Sequence, residues 1–227
     1  MSSQTRHLDQ YRLLRSLESE DGQITELFEA ELLGINDFRK RLALKLLGPS
    51  LRSQPLVRER FAAAGARAAN LTHPNMVAVH GVGRAKGTDY LALEYVGGWR
   101  LQHLIDRGRQ AGRRFPVNAA AYLLREIAKA LQYLHEQRPP VAHGDVTPHN
   151  MFVSGDGQVK LGDFSTAKAT QHMLEADAAA VVFGRLPYIA PEVADGEPAS
   201  PAADVYAAGL VLFELLTGCR YNAAQTV

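Results

Sequence analysis

The sequence predicts an α+β fold, with strands gathered in the first hundred or so residues and long helices after them, and three observations carry this reading. Apolar, strand-like runs at residues 11–17, 24–33, 38–47, 76–82 and 90–96 are separated by turn residues. Residues 119–135 and 201–217 then show helical spacing with start and stop signals. Between those helices, His143-Gly144-Asp145-Val146-Thr147-Pro148-His149-Asn150 and Val159-Lys160-Leu161-Gly162-Asp163-Phe164-Ser165 flank a short hairpin, which brings Asp163 back beside Asp145 and Asn150.

Each element has a local cause. Asp21-Gly22, Gly34-Ile35-Asn36-Asp37 and Lys86-Gly87 supply the turns between the early strands. Residues 55–71 are alanine-rich and helical, ending in Thr72-His73-Pro74-Asn75. Pro116 precedes the amphipathic helix at 119–135. The hairpin runs from 151–154 through Gly155-Asp156-Gly157 to 158–161. Ser200-Pro201 opens the last helix, and Gly218 stands just past its end. The stretch from Thr166 to Gly184 has no clear periodicity.

Composition narrows the function classes. A chain of 227 residues can bury a substantial core, and its formal net charge of +1 gives no electrostatic case for nucleic acid or an anionic membrane. The single cysteine, Cys219, excludes an internal disulfide and fits a reducing compartment. The first ten residues are polar, with no apolar signal segment, and the longest apolar run, 205–213, is too short to span a bilayer. A cytoplasmic location is expected.

The chemistry is concentrated in the central stretch. A carboxylate able to accept a hydroxyl proton, beside two oxygen ligands for a hard cation, is what magnesium-dependent phosphoryl transfer needs. HGDVTPHN followed by DFS resembles the catalytic loop and magnesium loop of the eukaryotic-like, bacterial-type serine/threonine protein kinases, whose pattern is HRDxxxxN then DFG. Ala190-Pro191-Glu192, Asp204-Val205-Tyr206 and Leu42-Ala43-Leu44-Lys45 fall where that family has its APE, its central helix and its VAIK lysine.

The resemblance implies a bilobal kinase-like fold. Residues 1–96 would form a small β-rich lobe of five strands and one helix, and 97–227 a partial helical lobe truncated after the central helix. It also implies that Asp145 is the base or hydroxyl-orienting group and that Lys45 contacts phosphate. Asn150 and Asp163 would hold Mg2+, and backbone groups of Glu94 and Val96 would bind the adenine of ATP. His143 reads as a packed core histidine rather than a catalytic one. If the chain is active, its substrate would be a protein hydroxyl.

Several positions depart from the family pattern. Counting back from His73-Pro74-Asn75 puts Ala64 where a glutamate should pair with Lys45; Glu59, five residues earlier, lies about 140° away around the helix. Ser165 replaces the DFG glycine, and Gly144 the arginine that reads a phosphorylated activation loop. Glu18, Glu20 and Asp21 occupy the phosphate-facing turn, where one carboxylate about 8 Å from a phosphate charge repels by roughly 2 kcal/mol. Thr147 stands at the usual catalytic-loop lysine, and since these positions are neighbours in the family fold, the resemblance implies that Arg185 either reaches Asp145 instead or stays solvated.

These losses favour a degenerate, pseudokinase-like regulatory or scaffolding module over the alternative, an active serine/threonine kinase. A small-molecule phosphotransferase of the aminoglycoside type shares HGDxxxxN, but APE and the DVY helix argue against it. The helix at 205–216 is apolar around almost its whole circumference, and ten residues follow Thr217. An exposed apolar face is therefore expected there, covered by a second copy, by another protein or by residues outside this sequence, with Glu192 left as an unpaired buried carboxylate.

Overall fold

The computed structural model describes residues 6–17, 25–163 and 186–221, which form two compact units. Among these residues the first unit holds 6–17, 25–72 and 77–95, and the second holds 73–76, 96–163 and 186–221. The α+β kinase-like architecture expected from the sequence is present.

The first unit is an antiparallel sheet and one helix. Its strands are β1 (Arg6–Leu8), β2 (Tyr11–Leu17), β3 (Thr25–Leu33), β4 (Arg39–Leu47), β5 (Val79–Ala85) and β6 (Thr88–Glu94), in the order β1-β2-β3-β4-β6-β5. Six strands rather than five is a correction. The extra strand, β1, is three residues long in a polar stretch, too short to show a period, and its register of Leu8 on Tyr11 tucks Leu8 into the core.

β4 is central, and it is buried on both faces from Leu42 to Leu47. Leu42, Leu44 and Leu46 pack with Leu13, Ala30, Ala92 and Tyr90, whose ring meets Tyr11 edge-on at 5.3 Å. The opposite face carries Lys45 and is covered by α1 (Pro55–Ala69), which buries Val57, Phe61, Ala64, Gly65 and Ala68. Gly65 sets the distance of approach, because a Cβ there would lie 2.2 Å from Leu91 Cδ2.

The second unit opens with β7 (Gly98–Arg100), which pairs with β8 (Met151–Ser154), which pairs in turn with β9 (Val159–Leu161). Gly98 opens the strand β7. A Cβ there would sit 2.0 Å from Val153 O, so only glycine lets β7 approach β8. α2 (Leu101–Gln110) follows, an element the sequence reading passed over although Leu101, Leu104 and Ile105 have helical spacing.

α3 (Val117–His135) buries Ala120, Leu123, Ile127, Ala130, Leu131 and Leu134 along one stripe. After the short α4 (Pro191–Ala194) comes α5 (Pro201–Thr217). Its ends are those expected: Ser200 Oγ accepts from Ala203 N at 3.2 Å, Pro201 opens the first turn, and Gly218 closes the helix at φ 75°. Buried Ala203, Asp204, Ala207, Val211, Glu214 and Leu215 form its inner face. Its outer face is apolar as well, with Val205 62% and Phe213 40% exposed.

Glu192 is half-buried rather than buried, because it sits in the first turn of a four-residue helix with no buried residue. The buried carboxylate of this region is Glu214. Arg109 of α2, the Tyr188 hydroxyl and, at 3.5 Å, Arg220 converge on it.

Candidate active site

In the first unit, the candidate phosphate contact is Lys45. β4 holds it 7% exposed, opposite Leu27 on β3 and Leu91 on β6, and Leu91 is the residue that touches α1 at Gly65. Lys45 thus projects from the face that α1 covers, since cross-strand partners share a face. On that helix Ala64 is fully buried, and Glu59, its one carboxylate, is exposed. α1 therefore offers an apolar methyl where the family pattern has a carboxylate for the lysine.

At the end of β6, Glu94 N donates to Ala78 O at 2.8 Å, and its side chain accepts from Ala78 N at 3.2 Å. In the second unit Val96 O accepts from Gly98 N at 3.0 Å.

The second unit fixes the catalytic loop from below. Asp204, near the start of α5 and 2% exposed, accepts from His143 N at 2.7 Å on Oδ2 and from Gly144 N at 2.8 Å on Oδ1. His135 Nε2 donates to the same Oδ2 at 2.9 Å, so the last turn of α3 is tied in as well. Gly144 turns through φ 77°, a left-handed conformation that glycine adopts without strain.

His143 is a core residue, as expected, at 1% exposed. Asp145 N donates to its Nδ1 at 3.2 Å, which places the proton on Nε2, and Nε2 donates to Gly162 O at 3.0 Å. One neutral imidazole thereby joins the loop carrying Asp145 to the residue before Asp163. Phe164 lies outside the described residues.

Asp145 and Asn150 meet directly. Asn150 Nδ2 donates to Asp145 Oδ2 at 2.7 Å and to Asp145 O at 2.9 Å, and Asn150 O accepts from Gly162 N at 2.8 Å. Both amide hydrogens are used inside the loop, so Oδ1 is the Asn150 atom that suits a cation. Asp163 follows Gly162 at φ 59°, a conformation that costs a non-glycine residue energy and is found at functional sites. An amide oxygen and a carboxylate fit Mg2+, which takes few protein ligands and completes its shell with water and phosphate oxygens.

Two supports of this loop are absent from the sequence reading. The first is Asp204, marked there only as the start of an apolar helix. The second is Asn75, whose Nδ2 donates to Glu126 Oε2 at 3.1 Å and to Val159 O at 3.0 Å, while Leu161 N donates to its carbonyl at 2.8 Å. His73 stacks on Tyr133 at 5.3 Å, and Lys160 Nζ donates to Pro74 O at 3.0 Å. Glu126 is held down to about 2, chiefly by its hydrogen bond to Lys129, then by Arg125 and Asn75. The segment His73–Met76 thus belongs to the unit of the catalytic loop. The acidic turn of Glu18, Glu20 and Asp21, together with Ser165, Thr166, Thr170 and Arg185, lies outside the described residues, so the Arg185–Asp145 pairing is not described.

The order of these parts is a family signature, and the model of the protein kinase domain family matches residues 39–226. The chain belongs to the protein kinase domain family. Among curated relatives it is 34% identical over 219 residues to the tyrosine-protein kinase MasK of Myxococcus xanthus and 35% identical over 221 residues to the serine/threonine-protein kinase PknA of Mycobacterium tuberculosis. Both alignments cover 92% of this chain, but the chain spans only 33% and 47% of those proteins. The crystal structure of the Mycobacterium tuberculosis PknI kinase domain matches with a TM-score of 0.71 at 27% identity, covering 97% of this chain and 79% of that one. In this kinase-fold chain, no helix among the described residues is long and apolar enough to cross a membrane.

Proposed function

We propose that this chain is a protein-kinase-fold signalling module in which ATP-dependent phosphotransfer is weak or absent. The observation that supports this most is the buried Ala64 on the face of α1 that covers Lys45, with Glu59 turned to solvent. In the family a carboxylate on this helix helps to position that lysine, and positioning contributes several kcal/mol to phosphoryl-transfer catalysis. In this reading residues 1–96 are the small lobe and 97–227 belong to the large lobe, working in the cytoplasm. Lys45 is the phosphate contact, Glu94 and Val96 the adenine contacts, Asn150 and Asp163 the magnesium ligands, and Asp145 the group that orients a substrate hydroxyl.

The Asp145–Asn150 pair supports a second reading, an active kinase acting on a protein hydroxyl, since the loop retains its internal hydrogen bonds. Serine or threonine is the expected acceptor. Thermal denaturation with 1 mM ATP, with and without Mg2+, separates the two. Ligand stabilisation follows RT ln(1 + [L]/Kd), so a dissociation constant near millimolar gives well under about 1 kcal/mol, a shift of about 2 °C at most. A magnesium-dependent shift of many degrees, abolished by Asp163→Asn, would establish the active reading instead.

The outer face of α5 is the proposed contact surface for a scaffolding role. Val205, Tyr206 and Phe213 form an exposed stripe without a charged residue, and each large side chain left wet forgoes about 1.5–3 kcal/mol. A second copy or another protein would cover it. Light scattering of the 227-residue chain at micromolar concentration should show association, relieved by Val205→Ser with Phe213→Ser. A stable monomer that binds no apolar dye would overturn this.

A further inference from the structure

α2 has two faces that differ in chemistry. Inward, Leu101, Gln102 and Ile105 are buried, and Arg109 reaches back to Glu214 and, through Nε at 2.7 Å, to Gly218 O. Outward, His103 and Arg107 stand one helical turn apart on α2, and Arg100, the last residue of β7, immediately precedes the helix. Arg100 is half-buried; His103 and Arg107 are exposed.

The charge of this segment is concentrated and unbalanced, although only Arg100 and Arg107 of its arginines belong to the outward face. Residues 99–114 hold five arginines against one aspartate, in a chain whose formal net charge is +1. That aspartate, Asp106, is already engaged by Gln102 Nε2 at 2.9 Å and Arg109 NH1 at 3.3 Å. Among the described residues no carboxylate pairs with Arg100 or Arg107.

Arg100 is also held in place. Its guanidinium lies over the Phe152 ring, 5.6 Å from the centroid, and Phe152 is its partner in the β7–β8 ladder. Phe152 stands two residues after Asn150, so this cation is set at the edge of the catalytic loop. A stacked guanidinium keeps its donor edge for a carboxylate and loses less rotamer freedom on binding.

We infer that the stripe Arg100, His103, Arg107 docks an acidic peptide segment of a partner protein. That the segment belongs to a phosphorylation substrate rests on the active reading above, whereas the docking itself needs no phosphotransfer. Exposed charge pairs contribute modestly and are screened by salt, so the docking is weak, steers association, and fades at high ionic strength.

The test uses the 227-residue chain and a fluorescein-labelled Glu/Asp/Gly peptide without serine, threonine or tyrosine, at low salt and without nucleotide. Fluorescence anisotropy should show saturable binding, weakened about tenfold in Arg100→Gln with Arg107→Gln, about threefold for each exposed pair. Arg107→Glu, at an exposed position away from the Phe152 contact, should remove it while leaving the melting temperature unchanged. Equal binding by the parent chain and these variants overturns the inference. So does binding of oligothymidylate as tight as that of the peptide, which would mark a general polyanion surface. Because acceptor and nucleotide are both absent, a negative result leaves the phosphotransfer reading untouched, and a missing ATP shift leaves the docking untouched.

Discussion

Replacing Arg109 by methionine should destabilise the second unit by about 3–5 kcal/mol, the usual cost of stripping the partner from a buried charge. Glu214 has no exposed side-chain surface, and Arg109 NH2 and the Tyr188 hydroxyl are its near partners. The third, Arg220, stands at 3.5 Å and is 38% exposed, so it can take up only part of the load. The same node keeps Tyr188 protonated: burial first, then the hydrogen bond to Glu214, raise its ionisation well above the usual tyrosine range. For a chain of this size the loss corresponds to a fall in Tm of roughly 10 °C by circular dichroism. Arg109→Met combined with Glu214→Leu should recover much of it, because an apolar pair carries no desolvation penalty. A single Arg109→Met variant melting within about 2 °C of the parent chain would show that the Glu214 carboxylate is neutralised by other means.

How this node escaped the sequence reading shows what a sequence displays and what it hides. The α5 boundaries were legible, since Ser200, Pro201 and Gly218 act on the backbone within a few residues of themselves. The same holds for β2 and β8, whose limits match the apolar runs that predict them. Glu214 was visible too, as one charge inside an apolar run, and such a residue implies a partner. Its partner lies 105 residues earlier on α2, and no local pattern links the two. The family motif points to Glu192 instead, yet that residue is only half-buried.

The catalytic loop divides in the same way. Asp145, Asn150 and Asp163 follow from motif and hairpin, and the hydrogen bonds of Asn150 and Gly162 bring the three together. What holds the loop does not follow from it. Asn75 and Asp204 act across 84 and 61 residues through contacts to backbone atoms, which leave no trace in residue type at the other end. Ala64 is the converse case, where the family's spacing back from His73 points to a position that α1 does bury.

Asp204→Asn should therefore release the catalytic loop while leaving its sequence intact. The carboxylate accepts two backbone N–H groups, His143 at 2.7 Å and Gly144 at 2.8 Å, on different oxygens, and His135 on one of them. An asparagine has one oxygen, so whichever way the amide is turned, its NH2 faces a backbone donor across a gap that holds a hydrogen bond. That backbone N–H and the asparagine NH2 facing it are both left without an acceptor, at about 1–3 kcal/mol each. His143 and Gly144 immediately precede Asp145, so the loss falls on the loop before it reaches the rest of the unit. The expected result is a drop of about 2–4 kcal/mol in stability, with amide exchange at His143 and Gly144 accelerated well beyond that of α3. Exchange at those two amides as slow as in the parent chain would mean that the loop is held by Asn150 and His143 alone, and that Asp204 serves only the packing of α5 on α3.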